Sequence, residues 1–288
     1  MSKSILITGA STGFGRLTAE TLATAGHTVF ASMRDLESKN RDHAEALRAK
    51  GIEVISLDVT DTGSVDQAVA AVVARTGRID VLVNNAGIAS AGVSEAFSAE
   101  QAAALFDVNV IGLHRVTRAV LPTLRQQEDG LIVNVGSILG RITFPFFGIY
   151  GASKFAVEAL TDSYRHEVAP LGIDVVLVQP SAYPTQMYGS AAQPTDADRV
   201  AEYGAIGEIP GAMFQNFMTL LSGPDAPNPQ DTANTIADLI ATAKGHRAPR
   251  TVVGASYGAD TLNDAAAPVQ AGVVEALGLG HLATVKAA

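Results

Sequence analysis

The residues best placed to do chemistry lie between Ser137 and Lys154. The apolar, β-branched run at 131–135 predicts a buried strand that ends just before Ser137. The segment from Tyr150 onward predicts a helix, which places Tyr150 and Lys154 on one face, about 5–6 Å apart at Cβ. Because a nearby cation stabilises phenolate, this pair predicts a lowered pKa for Tyr150 and proton transfer near neutral pH.

A glycine-rich turn follows the first predicted strand. Its glycines, Gly9, Gly13 and Gly15, are spaced GxxxGxG and lead directly into a predicted helix. Backbone N–H groups and the positive end of a helix suit a diphosphate at such a turn. The same stretch also fits the G-x-S-x-G elbow of serine hydrolases, with Ser11 as nucleophile, but too little chain precedes it for the strands that an elbow needs.

Strand and helix patterns alternate along the chain. Helical patterns separate seven predicted strands, at 4–7, 28–33, 52–57, 79–83, 131–135, 173–178 and 250–254. This alternation predicts a single-domain α/β fold: a Rossmann-like, doubly wound parallel sheet of about seven strands with helices on both faces. In such a sheet, ligands bind outside the carboxyl ends of the strands.

Composition excludes several classes of function. The net charge of -9, from 29 acidic and 20 basic residues, argues against a nucleic-acid partner. The chain has no cysteine and six scattered histidines, so no metal site is expected. Its apolar runs are too short for a signal peptide or a membrane span, so we expect a cytoplasmic protein without a membrane partner.

Together, these motifs resemble the classical short-chain dehydrogenase/reductase family. The resemblance covers roughly residues 3–185 and rests on Thr8-Gly9-x-x-x-Gly13-x-Gly15, Asp58, Asn84-Asn85-Ala86-Gly87, Asn109, Ser137 and Tyr150-x-x-x-Lys154. It implies hydride transfer between a nicotinamide cofactor and a carbonyl or alcohol, with the protein supplying position and electrostatics.

The resemblance implies a role for each catalytic residue. Tyr150 would protonate the carbonyl oxygen, or act as the base in reverse, and Ser137 would hydrogen-bond the same oxygen. Lys154 would bind the nicotinamide ribose and lower the pKa of Tyr150. Asn109 would position a water that connects Lys154 to solvent; the alternative is an amide inside a helix that bonds to backbone.

The family also implies the contacts with the cofactor. Asp58 and Val59 would lie against the adenine, although Asp58 also suits a helix cap. Thr185 would bond to the nicotinamide carboxamide, and Ser181 replaces the usual glycine nearby. The other expected contacts, besides Lys154 and the three glycines, are Ser11, Thr12, Phe14, Asn85, Ala86, Gly87 and Pro180.

The end of the second strand determines which cofactor is favoured. An acidic residue there binds the ribose 2′-hydroxyl of NAD, whereas a cation binds the 2′-phosphate of NADP. Met33 occupies the acidic position and Arg34 follows, which favours NADP(H) over NAD(H), with Ser32 as a second phosphate ligand. Asp35 leaves NAD(H) open as the alternative.

Apolar residues near the site predict an apolar substrate. Phe144 and Phe146 lie between Ser137 and Tyr150 and would form an apolar wall, and Tyr183 and Met187 follow the sixth strand.

Two further segments extend beyond the motifs. Residues 183–228 predict a substrate-binding lid; the alternative is an amphipathic helix that packs Phe214, Phe217, Met218 and Leu221 against the sheet. Residues 255–288 predict a helical tail for substrate closure or subunit contact.

The expected function is an NADPH-dependent carbonyl reductase, reversible as an alcohol dehydrogenase, acting on an apolar ketone or aldehyde. The alternatives are an NAD-dependent alcohol or hydroxysteroid-type dehydrogenase and, in another class, a nucleotide-binding sensor without turnover. Helices near 101–125 and 150–169 resemble those that pair subunits in the family, which implies a homodimer or homotetramer.

Overall fold

The computed structural model describes residues 2–286, which form a seven-stranded, all-parallel sheet with the order β3-β2-β1-β4-β5-β6-β7. This arrangement confirms the single-domain, doubly wound α/β fold. The strands are β1 (Ser4–Ile7), β2 (Thr28–Met33), β3 (Glu53–Ser56), β4 (Val81–Asn84), β5 (Gly130–Val135), β6 (Ile173–Pro180) and β7 (Arg250–Val253).

Helices connect the strands and cover both faces of the sheet. They are α1 (Gly13–Thr24), α2 (Arg41–Arg48), α3 (Thr62–Thr76), α4 (Ala99–Phe106), α5 (Leu113–Gln127), α6 (Gly148–Val168), α7 (Gln186–Gly189), α8 (Ala197–Glu202), α9 (Ala205–Ser222), α10 (Gln230–Ala241) and α11 (Ala259–Ala276). Short 3₁₀ turns occupy Ser94–Ala96, Ile138–Gly140, Ala169–Leu171 and Gly280–Ala283. Among the helices of residues 2–286, none combines the length and apolarity needed to cross a membrane.

Successive residues of the central strands project to opposite faces of the sheet. Ile5 and Ile7 of β1 belong to one buried cluster, and Leu6 between them belongs to another. Helices α1 and α10 pack on the first face, and α3 and α5 cover the second. Because both faces are covered, every residue of β5 and β6 is buried, which explains their nearly continuous apolar sequences.

The order of strands reverses between β1 and β4. From β1 the chain adds β2 and β3 on one side and then crosses to β4 on the other. Ligands of such sheets bind in the crevice at this reversal, beyond the carboxyl ends of the strands. The glycine turn that follows β1 and the Asn85–Gly87 segment that follows β4 meet there.

Hydrogen bonds join these two strand ends. The Thr8 hydroxyl accepts from the backbone N–H groups of Asn85 and Ala86, both at 3.0 Å. The Asn85 amide donates to the carbonyls of Thr8 and Gly9, both at 2.9 Å. Gly9 has a left-handed φ of 66°, and a Cβ there would lie 2.7 Å from the Ala86 Cα. Only glycine fits at this position.

A π-helical turn, Asp107–Gly112, interrupts the long helical stretch that the sequence predicts between 99 and 125. A capping box between Ser98 and Gln101 starts α4, and α5 continues from the π turn. Such turns are rare and occur mostly at functional sites. This one carries Asn109, one of the predicted catalytic residues.

Residues 183–228 contain three helices, of which the longest, α9, leaves most of its apolar residues outside the core of the sheet. Of the four α9 residues expected to be buried, Leu221 is buried, whereas Phe214, Phe217 and Met218 remain half exposed. The Phe217 ring instead packs edge-to-face on Tyr188 of α7, with ring centroids 4.7 Å apart. The interpretation of α9 as a helix packed on the sheet is therefore wrong for three of its four residues.

Substitution of Gly9 by alanine tests the contact between β1 and β4. We expect Gly9→Ala to lower the free energy of unfolding by more than the roughly 1–2 kcal/mol that a left-handed backbone costs an ordinary residue, because the new methyl group also meets Ala86. Gly26→Ala is the matched control, since Gly26 has a φ of 84° and nothing within 4 Å of a Cβ. Equal losses for the two variants in denaturant titrations would contradict the prediction.

Candidate active site

A cavity of about 630 Å³ lies over the carboxyl ends of β1 to β4. It extends from the glycine turn to the ends of β2 and β3, and α7 of the lid closes one side. The structure brings most of the predicted cofactor contacts to its wall, together with one predicted substrate contact. These residues are Gly9, Ser11, Thr12, Gly13, Phe14, Arg34, Asp58, Val59, Asn85, Ala86, Gly87, Thr185 and Met187.

The glycine turn fits the diphosphate of a nicotinamide dinucleotide. Thr12 starts α1, and in the described chain its side chain makes no capping hydrogen bond, so free backbone N–H groups of the first turn remain for an anion. Gly13, with a φ of 55°, would bring a Cβ within 3.6 Å of Thr185 across the cavity. Gly15 packs against Asn85 and supports the turn from behind.

The far end of the cavity carries positive side chains. Arg34 follows β2 and lies 3.5 Å from the Asp58 carboxylate. Lys39 and His43 line the same end, although the sequence analysis did not include them. They belong to the loop after β2 and the first turn of α2, and only the chain reversal at Asp35, with a φ of 53°, brings them back toward the cavity.

Ser137, Tyr150 and Lys154 converge beyond the carboxyl end of β5, and all three side chains are buried. The Ser137 hydroxyl accepts from the Leu139 N–H at 3.1 Å and lies near enough to Tyr150 to affect its pKa. The Lys154 ammonium donates to the Val135 carbonyl at 3.1 Å and lies 5.7 Å from the centroid of the Tyr150 ring. The helical spacing of the tyrosine and the lysine therefore places them as the sequence predicts.

The expected lowering of the Tyr150 pKa is wrong in this structure. Burial raises the pKa of Tyr150 to about 12, and the nearby Ser137 hydroxyl offsets only part of that rise. Burial also lowers the pKa of Lys154 to about 8. Desolvation disfavours the charged form of both groups, and here it outweighs the attraction between a phenolate and an ammonium.

Asn109 joins the π turn to the end of β4. Its amide oxygen accepts from the Ile88 N–H at 2.8 Å, and its nitrogen donates to the Ile88 carbonyl at 2.9 Å and to the Ser153 hydroxyl at 3.1 Å. The side chain thus bonds largely to backbone, as in the alternative that the sequence left open. Gly87 is adjacent, between Asn109 and Lys154.

An apolar wall surrounds Tyr150. Ile142, Phe144, Phe147 and Met187 pack against the cluster that contains its ring. Phe146, which the sequence also places there, lies outside this cluster: its φ is 67°, and its carbonyl accepts from Gly92 at 2.8 Å. A left-handed residue reverses the chain at this point, and the adjacent Phe147 contributes the aromatic ring instead.

The predicted contacts that do not line the cavity are Gly15, Ser32, Phe144, Phe146, Lys154, Pro180 and Tyr183. Ser32 is fully buried and donates to the Ile7 carbonyl at 2.9 Å, so its hydroxyl is not a phosphate ligand. Tyr183 is 1% exposed in the core and packs edge-to-face on Phe14 at 5.5 Å, which makes it a support of the glycine turn and not a substrate contact. Pro180 is buried in β6, paired with Val253 of β7.

Tyr188, which no sequence motif identifies, also lies near Tyr150. Burial raises the pKa of this tyrosine, and the neighbouring Tyr150 raises it further, so the two rings share one environment. The sequence places Tyr188 after the sixth strand, but only the fold shows that α7 comes close to Tyr150. Within the part of the chain that the structure describes, His, Asp and Glu side chains form no group of three that could hold a metal ion.

Comparison with known proteins agrees with this geometry. A sequence model described as short chain dehydrogenase matches residues 3–196. A curated relative, 3-ketodihydrosphingosine reductase of Bacteroides thetaiotaomicron, is 40% identical over 181 residues, which are 63% of this chain and 64% of that protein.

Two solved structures extend the comparison over nearly the whole chain. A short-chain dehydrogenase from Streptomyces avermitilis is 34% identical, with a TM-score of 0.76 and 96% of each chain covered. A short chain dehydrogenase/reductase from Burkholderia phymatum, solved in complex with NAD, is 28% identical, with a TM-score of 0.74 and coverage of 93% and 95%. The fold, the match to the family model and these relatives agree: the chain belongs to the short-chain dehydrogenase/reductase family of oxidoreductases.

Proposed function

We propose that this protein is an NADPH-dependent carbonyl reductase that acts on an apolar ketone or aldehyde and runs as an alcohol dehydrogenase in reverse. One observation carries the proposal: Ser137, Tyr150 and Lys154 converge next to an apolar wall, and Lys154 adjoins Gly87, which lines the cavity. A reduced nicotinamide bound in that cavity would supply the hydride. The protein's own contribution is to hold the carbonyl and to transfer a proton.

In this proposal, Tyr150 is the general acid. The phenol is protonated at neutral pH, which is the state that an acid must have when the carbonyl oxygen gains negative charge. The Ser137 hydroxyl, which lies near Tyr150, would hold the same oxygen in a near-attack pose. Lys154 would hold the ribose hydroxyls of the cofactor and stabilise the phenolate that remains.

Positive charge at the end of β2 supports the choice of NADP(H). The basic side chains of Arg34 and Lys39 line the end of the cavity where a 2′-phosphate would lie, together with His43. Asp35 and Asp58 reduce this charge, and the similar Burkholderia phymatum protein binds NAD, so an NAD-dependent dehydrogenase is the alternative.

The apolar wall supports an apolar substrate. Phe144, Phe147 and Met187 would contact a carbon skeleton whose carbonyl points at Tyr150. The name of the Bacteroides thetaiotaomicron relative, a reductase of a keto compound, is consistent with a ketone.

The lid would enclose this substrate. Its α8 is tied to the segment before α4, because Glu95 accepts from Arg199 at 3.1 Å and from Tyr203 at 2.7 Å.

We also propose that copies of the chain associate through α5 and α6. Ile111, just before α5, and Phe155 of α6 are large apolar residues that are 46% and 42% exposed. Pairing of these helices would cover both residues, and light scattering in solution tests for the resulting dimer or tetramer.

Replacement of Tyr150 by phenylalanine tests the catalytic assignment. We expect Tyr150→Phe to lose about 10²–10⁴-fold in turnover, because the acid is removed while the ring packing stays. NADPH binding, followed by its fluorescence, is expected to persist. Tyr164→Phe on the same helix is the matched control and is expected to retain activity. Wild-type protein that binds NADPH but oxidises it with no carbonyl of a broad panel would instead support the sensor.

Replacement of Arg34 tests the cofactor preference. We expect Arg34→Ala to lower kcat/KM for NADPH about 10-fold or more, since a charge-assisted hydrogen bond contributes about 1.5–3 kcal/mol, and to leave NADH use nearly unchanged. Arg41→Ala, which removes an exposed guanidinium of α2, is the control. A wild-type protein that prefers NADH would contradict the assignment.

The pKa of Lys154 predicts a pH dependence. Because burial lowers this pKa to about 8, the amine carries its charge below that pH and loses it above. At saturating NADPH, we therefore expect kcat/KM for the carbonyl to fall as the pH rises through about 8. Tyr150, with its pKa of about 12, does not titrate in this range. In Lys154→Arg the guanidinium stays charged, so the remaining activity is expected to be flat between pH 7 and pH 9.5, as a rough range. A flat wild-type profile would exclude this role.

A further inference from the structure

The C-terminal helix α11 contacts the segment that joins Ser137 to Tyr150. The Nε atom of Arg141 donates to the Oδ1 atom of Asn263 at 2.9 Å. The Nδ2 atom of Asn263 donates in turn to the Oε1 atom of Gln179 in β6, at 2.6 Å. One side chain of the tail thus bonds both to the segment after Ser137 and to a central strand.

These bonds lead to a buried carboxylate, Glu158 of α6, which is 4% exposed. Its oxygens accept from Gln179 at 2.5 Å and from the Nε atom of Arg250 at 2.8 Å, and an Arg141 nitrogen lies 3.3 Å away. A buried charge is tolerated only when its partners satisfy it, so this network has little freedom to rearrange.

The network fixes which way the Asn263 amide points. The amide nitrogen of Gln179 faces Glu158, so its oxygen faces Asn263 and requires a donor. Arg141 has only donors and requires an acceptor. Asparagine presents one of each. Aspartate would keep the acceptor for Arg141 but lose the donor for Gln179, and alanine would lose both.

The network also reaches the catalytic groups. Glu158 lies one helical turn beyond Lys154 on α6, and Arg141 lies one 3₁₀ turn beyond Ser137. That turn is closed by the Gly140 N–H, which donates to the Ser137 carbonyl at 2.9 Å. A Cβ on Gly140 would lie 3.0 Å from both the Glu158 side chain and the Lys154 carbonyl, so the turn and α6 are in direct contact.

A second residue of the tail segment contacts the same connection. The ring of Tyr257, just before α11, packs edge-to-face on Phe144 with centroids 5.7 Å apart. Phe144 in turn packs against the cluster around Tyr150. The tail segment therefore contacts the chain between Ser137 and Tyr150 at two residues, Arg141 and Phe144.

We propose that Asn263 is a positioning residue for the reaction: through Arg141 and Glu158 it holds the Ser137 turn against α6 and so sets the distance between the Ser137 and Tyr150 hydroxyls. This inference rests on the proposed carbonyl reduction for its catalytic consequence. Its structural part, the restraint of residues 137–141, can be tested without a substrate. The tail would then belong to the active site, and its role would not be limited to enclosing substrate or pairing subunits.

The test compares Asn263→Ala with Asn263→Asp and, as a matched control, Asp264→Ala, which alters an exposed neighbour on the same helix. For Asn263→Ala we expect kcat to fall about 10-fold or more, since misplacement of reacting groups by about 1 Å can cost 10²-fold, with the KM for NADPH unchanged. Asn263→Asp keeps the bond to Arg141 and is expected to retain most of the activity. Asp264→Ala is expected to match the wild type.

Hydrogen exchange measured by mass spectrometry gives the second readout. In Asn263→Ala we expect faster exchange at the amides of Leu139, Gly140 and Arg141, with α1 unchanged. Unchanged exchange at 139–141 would overturn the inference whatever the activity. A loss of kcat that comes with an equal loss of NADPH affinity, or with faster exchange throughout the chain, would also overturn the inference. If the wild type reduces no carbonyl, the proposed function fails, while the exchange result still decides whether the tail restrains the Ser137 turn.

Discussion

The structure depends on the close approach of β1 and β4 at their carboxyl ends. Thr8 accepts two N–H groups from the opposite strand end, and Gly9 leaves space for Ala86. At this reversal of strand order, the connections of the two strands separate and leave a crevice. Without the contact, the glycine turn and Asn85–Gly87 would not form the two sides of one cavity. The cavity extends from this contact toward the ends of β2 and β3. Ser137, Tyr150 and Lys154 lie on the other side, beyond the end of β5.

The fold and the clustering of Ser137, Tyr150 and Lys154 follow from the sequence because their signals are local. Buried parallel strands require nearly continuous apolar runs, and β5 and β6 have them. The four-residue spacing of Tyr150 and Lys154 fixes their common helical face, as the structure confirms. The glycine spacing likewise identifies a turn whose backbone needs left-handed residues at Gly9 and Gly13.

The sequence fails where a residue's role depends on packing between distant segments. Ser32 lies inside β2, which is covered on both faces, and its hydroxyl bonds to the Ile7 carbonyl of β1, so it does not reach the cavity. The sequence predicts Tyr183 as a substrate contact, yet its ring is buried and packs edge-to-face on Phe14. Lys39, His43 and Tyr188 carry no motif, and only the reversal at Asp35 and the path of α7 bring their segments to the site.

The pKa values of Tyr150 and Lys154 also depend on packing between distant segments. Spacing alone suggests mutual stabilisation of two charges, but both groups are buried, and desolvation moves each toward its neutral form. Spacing along a helix shows which groups meet, but it does not show how far they are removed from water. The protonation of the pair therefore follows only from the fold, which buries both side chains beside the end of β5.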